Sequence, residues 1–560
     1  MATNTAISLK FLDHNAIKSR LGTRFAFLVA CSITVGVLSS QEVVAAEPDS
    51  ASAPILNSDT ANSDNGNAAA QQAGNRKWTF TPSLGLEETY TDNVFLAPQG
   101  SEKSAWVTQI NPGLSLSGAG PNLKANATYQ LQNLFYSGID RGKTTYQQLN
   151  ANANAKLIND FLFVDGMADI NQQNISPLGT LAIDNTNITN NRTNIRTYSI
   201  SPYLKHRFSD NASGELRYTH DEVDTDAGSL AMANSQADNI LLNLNSDTAA
   251  DALGWGINYN KQHMNYKGSN QTSAADSEMF SGTLRRLVTP YLTLNATGGY
   301  EKYNYLSGAQ QLQGASLTAG FSWAPSARTD IEASAGHRFF GPTYSLKASH
   351  RAHRTAWNVD YSEDITTPQS QFLTPATIDT STFLDNLWAS SIPDPALRQQ
   401  TVNDFIGSNG LPDSLGQPIN YLNNQLFLQK LLQAAVAITG TTNTLLFSIF
   451  DMSRTALASE TSGSTVLGTN DLGSNANLRE IGGNALWNWR LSSRTNANIS
   501  ANASGTGGGN YLESLNASIS RQLQPNLSGS ITLRRTEQHA DQIGIGYHES
   551  AITALLLKKF

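Results

Sequence analysis

From Trp78 onward, apolar and polar residues alternate. Leu123, Ala125, Ala127, Tyr129 and Leu131 interleave with Lys124, Asn126, Thr128, Gln130 and Gln132. Leu149, Ala151, Ala153, Ala155 and Leu157 do the same with Asn150, Asn152, Asn154 and Lys156, and Ala497, Ile499, Ala501 and Ala503 with Asn496, Asn498, Ser500 and Asn502. A period of two puts each set on its own face of an extended strand. The polar face is built from Asn, Thr, Ser and Gln, the apolar face from Ala, Leu, Ile and aromatics. Beyond residue 46 no apolar run reaches the roughly 18 residues that a membrane helix needs. A closed barrel is then the structure able to cross a bilayer, since every backbone N–H and C=O must pair away from water.

The connections sharpen this. Short turns are predicted at Gly118–Pro121, Asn159–Asp160, Ser209–Asn211, Ala250–Asp251, Thr289–Pro290 and Ala324–Ser326. Longer polar loops are predicted at Asp92–Lys103, Pro177–Arg192, Thr225–Gln236 and Gly268–Ser277. Short on one side and long on the other is the asymmetry of outer-membrane barrels. Phe161, Phe208, Tyr291 and Trp323 flank short turns, and Tyr90, Phe95, Tyr136, Tyr146, Tyr266 and Tyr300 flank long loops, as two interfacial girdles. The expected fold is all-β: a single transmembrane antiparallel β-barrel over residues 77–560, of about 22 strands (about 20–24). An even count leaves both termini in the periplasm.

The rhythm fails over 367–421. There Asp394 can cap, Pro395 open and Gly407 close a helix, so a long, partly helical loop is predicted where an extracellular loop is due. Asn420–Gly440 reads as a helix or as a helix running into a strand.

At the other end of the chain, Lys18, Arg20 and Arg24 precede an apolar run, Phe25–Leu38, and a small-residue stretch ending at Ala46. Residues 1–46 thus read as a secretory signal peptide, and the Ala/Ser/Asn/Asp-rich residues 47–76 as a flexible periplasmic leader. The chain's one Cys, Cys31, would leave with the signal. Export to the outer membrane of a Gram-negative cell is the expected localisation, with membrane lipid and the barrel-assembly machinery as partners. Phe560, after the strand-like Ala551–Lys559, resembles the C-terminal assembly signal of outer-membrane barrels, with Lys558 departing from that pattern.

Charge and composition then limit the chemistry. Of 560 residues only 15% are charged, and the net charge is −8, so no basic surplus exists to neutralise nucleic-acid phosphates. A single Cys excludes a disulfide scaffold or a Cys-ligated metal. No cofactor or metal is expected. By strand parity Asp330, Glu332, Arg338, Lys347, Arg351, Arg354 and Asp360 share the polar face, with Ser349; His337 and His350 take the other. This belt reads either as cross-strand ion pairs or as a substrate-selecting lining. Ser349 beside His350 cannot form a nucleophile–base pair, because adjacent strand residues point apart. Asp221, Glu222, Asp224 and Asp226 read as a solvated acidic loop rather than an ion site, since their spacing is not that of an EF-hand.

Several segments resemble outer-membrane proteins associated with the PEP-CTERM/exosortase system, found beside exopolysaccharide loci. They are Glu88–Phe95, Gly336–Gly341 with His350-Arg351, Asp394-Pro395, Gly410–Pro412 and Phe427–Thr444. The resemblance implies an outer-membrane barrel in an envelope or exopolysaccharide setting and brings no catalytic residue. The expected function is a porin-like conduit, not an enzyme, with polysaccharide as its possible cargo. The alternatives are a structural or adhesive barrel without transport and, further off, an outer-membrane enzyme.

Overall fold

The computed structural model describes residues 78–560 apart from 177, 210, 227–233, 247–252, 268–271, 306–311, 374–383, 386–401, 403–425, 459–476, 508 and 541–545. The signal peptide and leader lie outside the described residues, as do the turn at Ala250-Asp251 and, Val402 excepted, the helix expected after Asp394.

The described chain forms β1 (Thr79–Thr91), β2 (Ala105–Ala119), β3 (Leu123–Ser137), β4 (Thr144–Ile158), β5 (Leu162–Asn174), β6 (Arg192–Ser209) and β7 (Ala212–Thr225). There follow β8 (Ser235–Ser246), β9 (Leu253–Lys267), β10 (Thr272–Thr289), β11 (Leu292–Tyr305), β12 (Leu312–Ser326), β13 (Thr329–Arg338), β14 (Gly341–Arg351) and β15 (Thr355–Thr366). After a short helix, α1 (Pro368–Leu373), come β16 (Leu426–Thr439), β17 (Asn443–Ala458), β18 (Asn477–Ser492), β19 (Thr495–Thr506), β20 (Tyr511–Gln524), β21 (Leu527–His539) and β22 (Tyr547–Lys559). Each strand pairs antiparallel with its sequence neighbours, and β1 pairs with β22 from Ser83↔Lys559 to Thr91↔Ala551. The 22-stranded sheet is therefore closed, with no free edge strand. Phe560 adds a last rung, its N–H donating to Pro82 O at 2.9 Å.

Alternation sets the two faces. On β12, Ala315, Leu317, Ala319, Phe321 and Trp323 are exposed while the residues between them are half-buried. Phe80, Leu84 and Leu86 on β1 and Ile531 and Leu533 on β21 mark the same outer face. An apolar exterior on a closed sheet is the lipid-facing surface of a transmembrane barrel. Connections at one end are short, as at 120–122, 159–161, 290–291 and 525–526. Asp160 takes a left-handed φ of 57° in one of these, a conformation that Asp tolerates. At the other end lie 92–104, 175–191, 226–234, 367–425 and 459–476.

Four expectations are corrected. The connection predicted over Gly268–Ser277 shrinks to 268–271, because Thr272–Ser277 continue to pair with β9. Polar residues there extend a strand; they do not make a loop. Asn420–Gly440 contains the strand β16 from Leu426 to Thr439, which overturns a helix throughout and bears out the strand of the second alternative; residues 420–425 lie outside the described ones. Its inner face mixes buried Leu431, Ala435 and Ala437 with Gln429 and Gln433, so alternation is lost. Tyr136, Tyr146 and Tyr266 belong to no outer girdle. Tyr136 and Tyr146 pack on Val94, Ala105, Val107 and Leu134, and Tyr266, with 0% exposure, on Ala237, Met264, Ala275 and Leu426. Phe161, Phe208, Tyr291, Trp323, Phe95 and Tyr300 are exposed. Finally, Asp221, Glu222 and Asp224 sit on β7 and not in a loop.

Candidate functional site

The charge belt lies on three consecutive strands. Asp330, Glu332 and Arg338 are on β13, Lys347 and Arg351 on β14, and Asp360 on β15. Exposed Trp323, Tyr344 and Trp357, with the register Trp323↔Ile331, fix the opposite parity as lipid-facing, so these side chains face the lumen. Glu332, Lys347 and Asp360 form one rung across the three strands. Arg354 departs from the expected parity: β14 ends at Arg351, and Arg354 is exposed in the 352–354 turn. Arg338 pairs outside the belt's own acids. Its Nε and Nη2 donate to the two carboxylate oxygens of Glu301 on β11, each at 2.8 Å, and Nη1 lies 3.4 Å from Asp364. His350 lies on the outer face, its Nδ1 2.8 Å from Thr329 Oγ1, turned away from Ser349. Glu222 and Asp226 are paired with Lys267 (2.7 Å) and Arg196 (2.6 Å). Among the described residues, no group of three or more His, Cys, Asp and Glu side chains could hold a metal ion.

A second polar surface lines the wall from β18 to β20. Asn484 bonds Asn502, and Asn488 bonds Asn498. Asn502 continues to Ser514 (3.2 Å), Asn498 to Ser518 (3.5 Å), and Asn516 to Ser500 (3.4 Å). Exposed Trp489, Ile499, Leu515 and Ile519 on the other parity put these rows inside. On the inner face of β5–β7, Phe163 and Tyr203 stack at 5.1 Å. Arg217 lies 3.8 Å from the Tyr203 ring and bonds Asp165 and Glu215, each at 2.8 Å.

The densest bonding is one that strand parity did not single out. The register of β4 with β5 stops at Leu149↔Ile170, although β4 runs on to Thr144 and β5 to Asn174. Above that rung β5 pairs only with β6, up to Asn174↔Arg192. β6 stays in the wall, paired with β7 as far as Ile195↔Thr225, while β5 loses its β4 neighbour and the loop beyond it, 175–191, turns into the mouth. Asn191 Nδ2 donates to Ser176 O (2.8 Å) and Thr180 O (3.2 Å), while Asn174 and Ala182 exchange two bonds, so side-chain amides satisfy the loop's backbone. The loop then crosses the inner faces of other strands. Asn185 bonds Gln132 on β3 (2.6 Å), Ile188 N–H donates to Val94 O (2.8 Å), and Leu181 N–H donates to Gln538 on β21 (2.8 Å). Tyr547 on β22 donates to Leu181 O at 2.6 Å.

At the centre is Arg534 on β21. It bonds Asp184 and Asn187 of the loop and Glu549 of β22, the last through Nη2 at 2.9 Å. Glu549 also accepts from Thr91 (2.7 Å) and Asn187 (2.8 Å), and its side chain is 1% exposed. Burial pushes the Asp184 carboxyl up, but the Arg534 guanidinium outweighs it and holds the group below the ordinary aspartate range. The signal in the sequence is a lone acid, Asp184, in an uncharged loop, with Arg534 and Glu549 on polar parities of the last two strands.

Closed topology, apolar exterior and polar, charge-bearing interior together define an outer-membrane type of β-barrel with a porin-like or transporter-like architecture. No family model and no curated protein matches the chain. Among solved structures it is similar to the siderophore receptor PirA from Pseudomonas aeruginosa, with 11% identity over 87% of this chain and 81% of that one and a TM-score of 0.42. It is also similar to the FrpB iron transporter from Neisseria meningitidis (F3-3 variant), with 10% identity, 86% and 81% covered and a TM-score of 0.45. Pseudomonas aeruginosa OccK5 (OpdH) matches at 8% identity, over 86% of this chain and 98% of that one, with a TM-score of 0.29. The first two of these are by name a siderophore receptor and an iron transporter; the barrel assignment here rests on this chain's own strand closure and faces.

Proposed function

We propose that the protein is a porin-like conduit of the outer membrane for a hydrophilic chain, an exported polysaccharide, in an envelope or exopolysaccharide setting. The observation that carries the reading is the Asn–Asn–Ser wall of β18–β20. Amides and hydroxyls exchange hydrogen bonds with sugar hydroxyls at near-constant energy, so a chain slides without being trapped at one site. The resemblance to PEP-CTERM-associated barrels supports the setting, and barrel-assembly machinery and lipid are the partners that such a protein needs. Single-channel recording in planar bilayers tests it. A steady conductance that added neutral oligosaccharide transiently blocks is expected; a silent bilayer with folded protein inserted overturns it. The second reading, a structural or adhesive barrel, draws on the loop bonded across the mouth and predicts silence in the wild type and in every loop variant.

A further inference from the structure

One side of the barrel mouth is covered by a loop fixed to the wall five to seven strands away from its stem. We infer that Arg534 and Asp184 form a latch that holds loop 175–191 over the lumen and so sets the size limit of the conduit; this rests on the conduit reading above.

Four observations carry it. First, the stem of the loop is free of the wall on its β4 side, since the β4–β5 register ends at Leu149↔Ile170. Gln172 reaches back, donating from Nε2 to Gln147 O at 2.8 Å. Second, the loop is anchored on strands reached from β5 only by passing β4, β3, β2 and β1 around the ring: β20–β22 and the turn before β20. There Asn510 and Gln538 donate to Gly179 O at 3.3 and 2.9 Å. Third, the anchor is charged and buried on its wall side. The Arg534 and Glu549 side chains are 9% and 1% exposed, and Arg534 lies between Glu549 and the half-buried Asp184 of the loop. Fourth, Asp184 is the acid that the loop contributes to this anchor, while Glu549 accepts both from Thr91 of the wall and from Asn187 of the loop. A charge-assisted bond of this kind is stronger than the neutral amide bonds around it, and losing Asp184 leaves the buried Arg534 with Glu549 as its acidic partner. The loop's own folding survives that loss, because Asn174, Asn191 and Thr189 close it on itself. Breaking the latch therefore loosens a folded loop, which keeps its neutral bonds to Gln132, Val94, Gln538 and Tyr547, instead of unravelling the barrel.

The experiment uses the full chain in lipid bilayers with two variants, Asp184→Ala on the loop side and Arg534→Ala on the wall side. Amide hydrogen exchange over 178–190 should quicken by about tenfold or more in both, the equivalent of one charged hydrogen bond. Conductance should rise, and liposome swelling should admit larger neutral sugars than in the wild type. If Arg534→Ala fails to assemble, Asp184→Ala carries the test, since it leaves the wall untouched. Unchanged exchange in a folded Asp184→Ala barrel overturns the latch whatever the current does. Faster exchange with no conductance in either protein upholds the latch and overturns the conduit reading. Faster exchange with wild-type conductance and size limit shows that the loop does not set the aperture and overturns the inference.

Discussion

Arg338 and Arg354 show how differently two residues of one sequence-defined belt are placed. Arg338 grips Glu301 with two bonds, and the Glu301 side chain is 4% exposed. Arg338→Ala should cost about 3 kcal/mol, because it strands a buried carboxylate. Arg354→Ala, in an exposed turn, should stay within about 0.5 kcal/mol. Urea midpoints of the barrel in vesicles measure both; equal losses would mean that the Glu301 pairing contributes nothing. Strand parity placed Asp330, Glu332, Lys347 and Asp360 on one face, but it carries no information on partners two strands away, which is why Glu301 went unseen. Asp184 supplies the pH dependence. It faces Arg534 and Arg192, with Glu87, Glu549, Tyr136 and Tyr547 around it. Docked, its pKa lies below that of a free aspartate, so docking is favoured in full above about pH 4 and weakens as pH falls through the docked value. Exchange over 178–190 should be flat from neutrality to about pH 4, after correction for intrinsic chemistry, and quicken below it. Quickening on the alkaline side would reverse the sign and contradict the Arg534 pairing.

Among the elements, β22 is the one that closes the barrel. Its register with β1 runs from Lys559 to Ala551, and Phe560 adds the bond to Pro82 while its ring stays 68% exposed. A ring this exposed stabilises little by packing; the role proposed for it is recognition during insertion. Deleting Phe560 should lower the yield of membrane-inserted protein several-fold while leaving the unfolding midpoint of what does insert within about 0.5 kcal/mol. A wild-type yield would mean that Phe560 is not an assembly signal. Elements were legible where one face meets lipid and the other water, as in β3, β4, β12 and β19. They were illegible where the inner face is covered. In β16, Leu431, Ala435 and Ala437 erase the period, and Tyr266 near the end of β9 looks interfacial from sequence although it packs inward.

At the scale of the molecule, strand number and closure follow from counts of alternating segments and from the inequality of the two sets of connections. What those counts cannot convey is which long connection turns inward. The sequence drew the eye to the 367–421 insert, of which α1 reaches toward β7, whereas the connection whose described residues bond across the inner wall is 175–191. Its inward turn depends on a register that stops early, and a missing backbone pairing leaves no mark in the side-chain pattern. That early stop has a mechanical meaning. Above Ile170 the last four residues of β5, about 13 Å at 3.3 Å per residue, are held on one edge, by β6, which β7 holds in turn as far as Ile195↔Thr225. The seam beside β4 is therefore a place where the rim can loosen while β6 and β7 keep the circumference fixed.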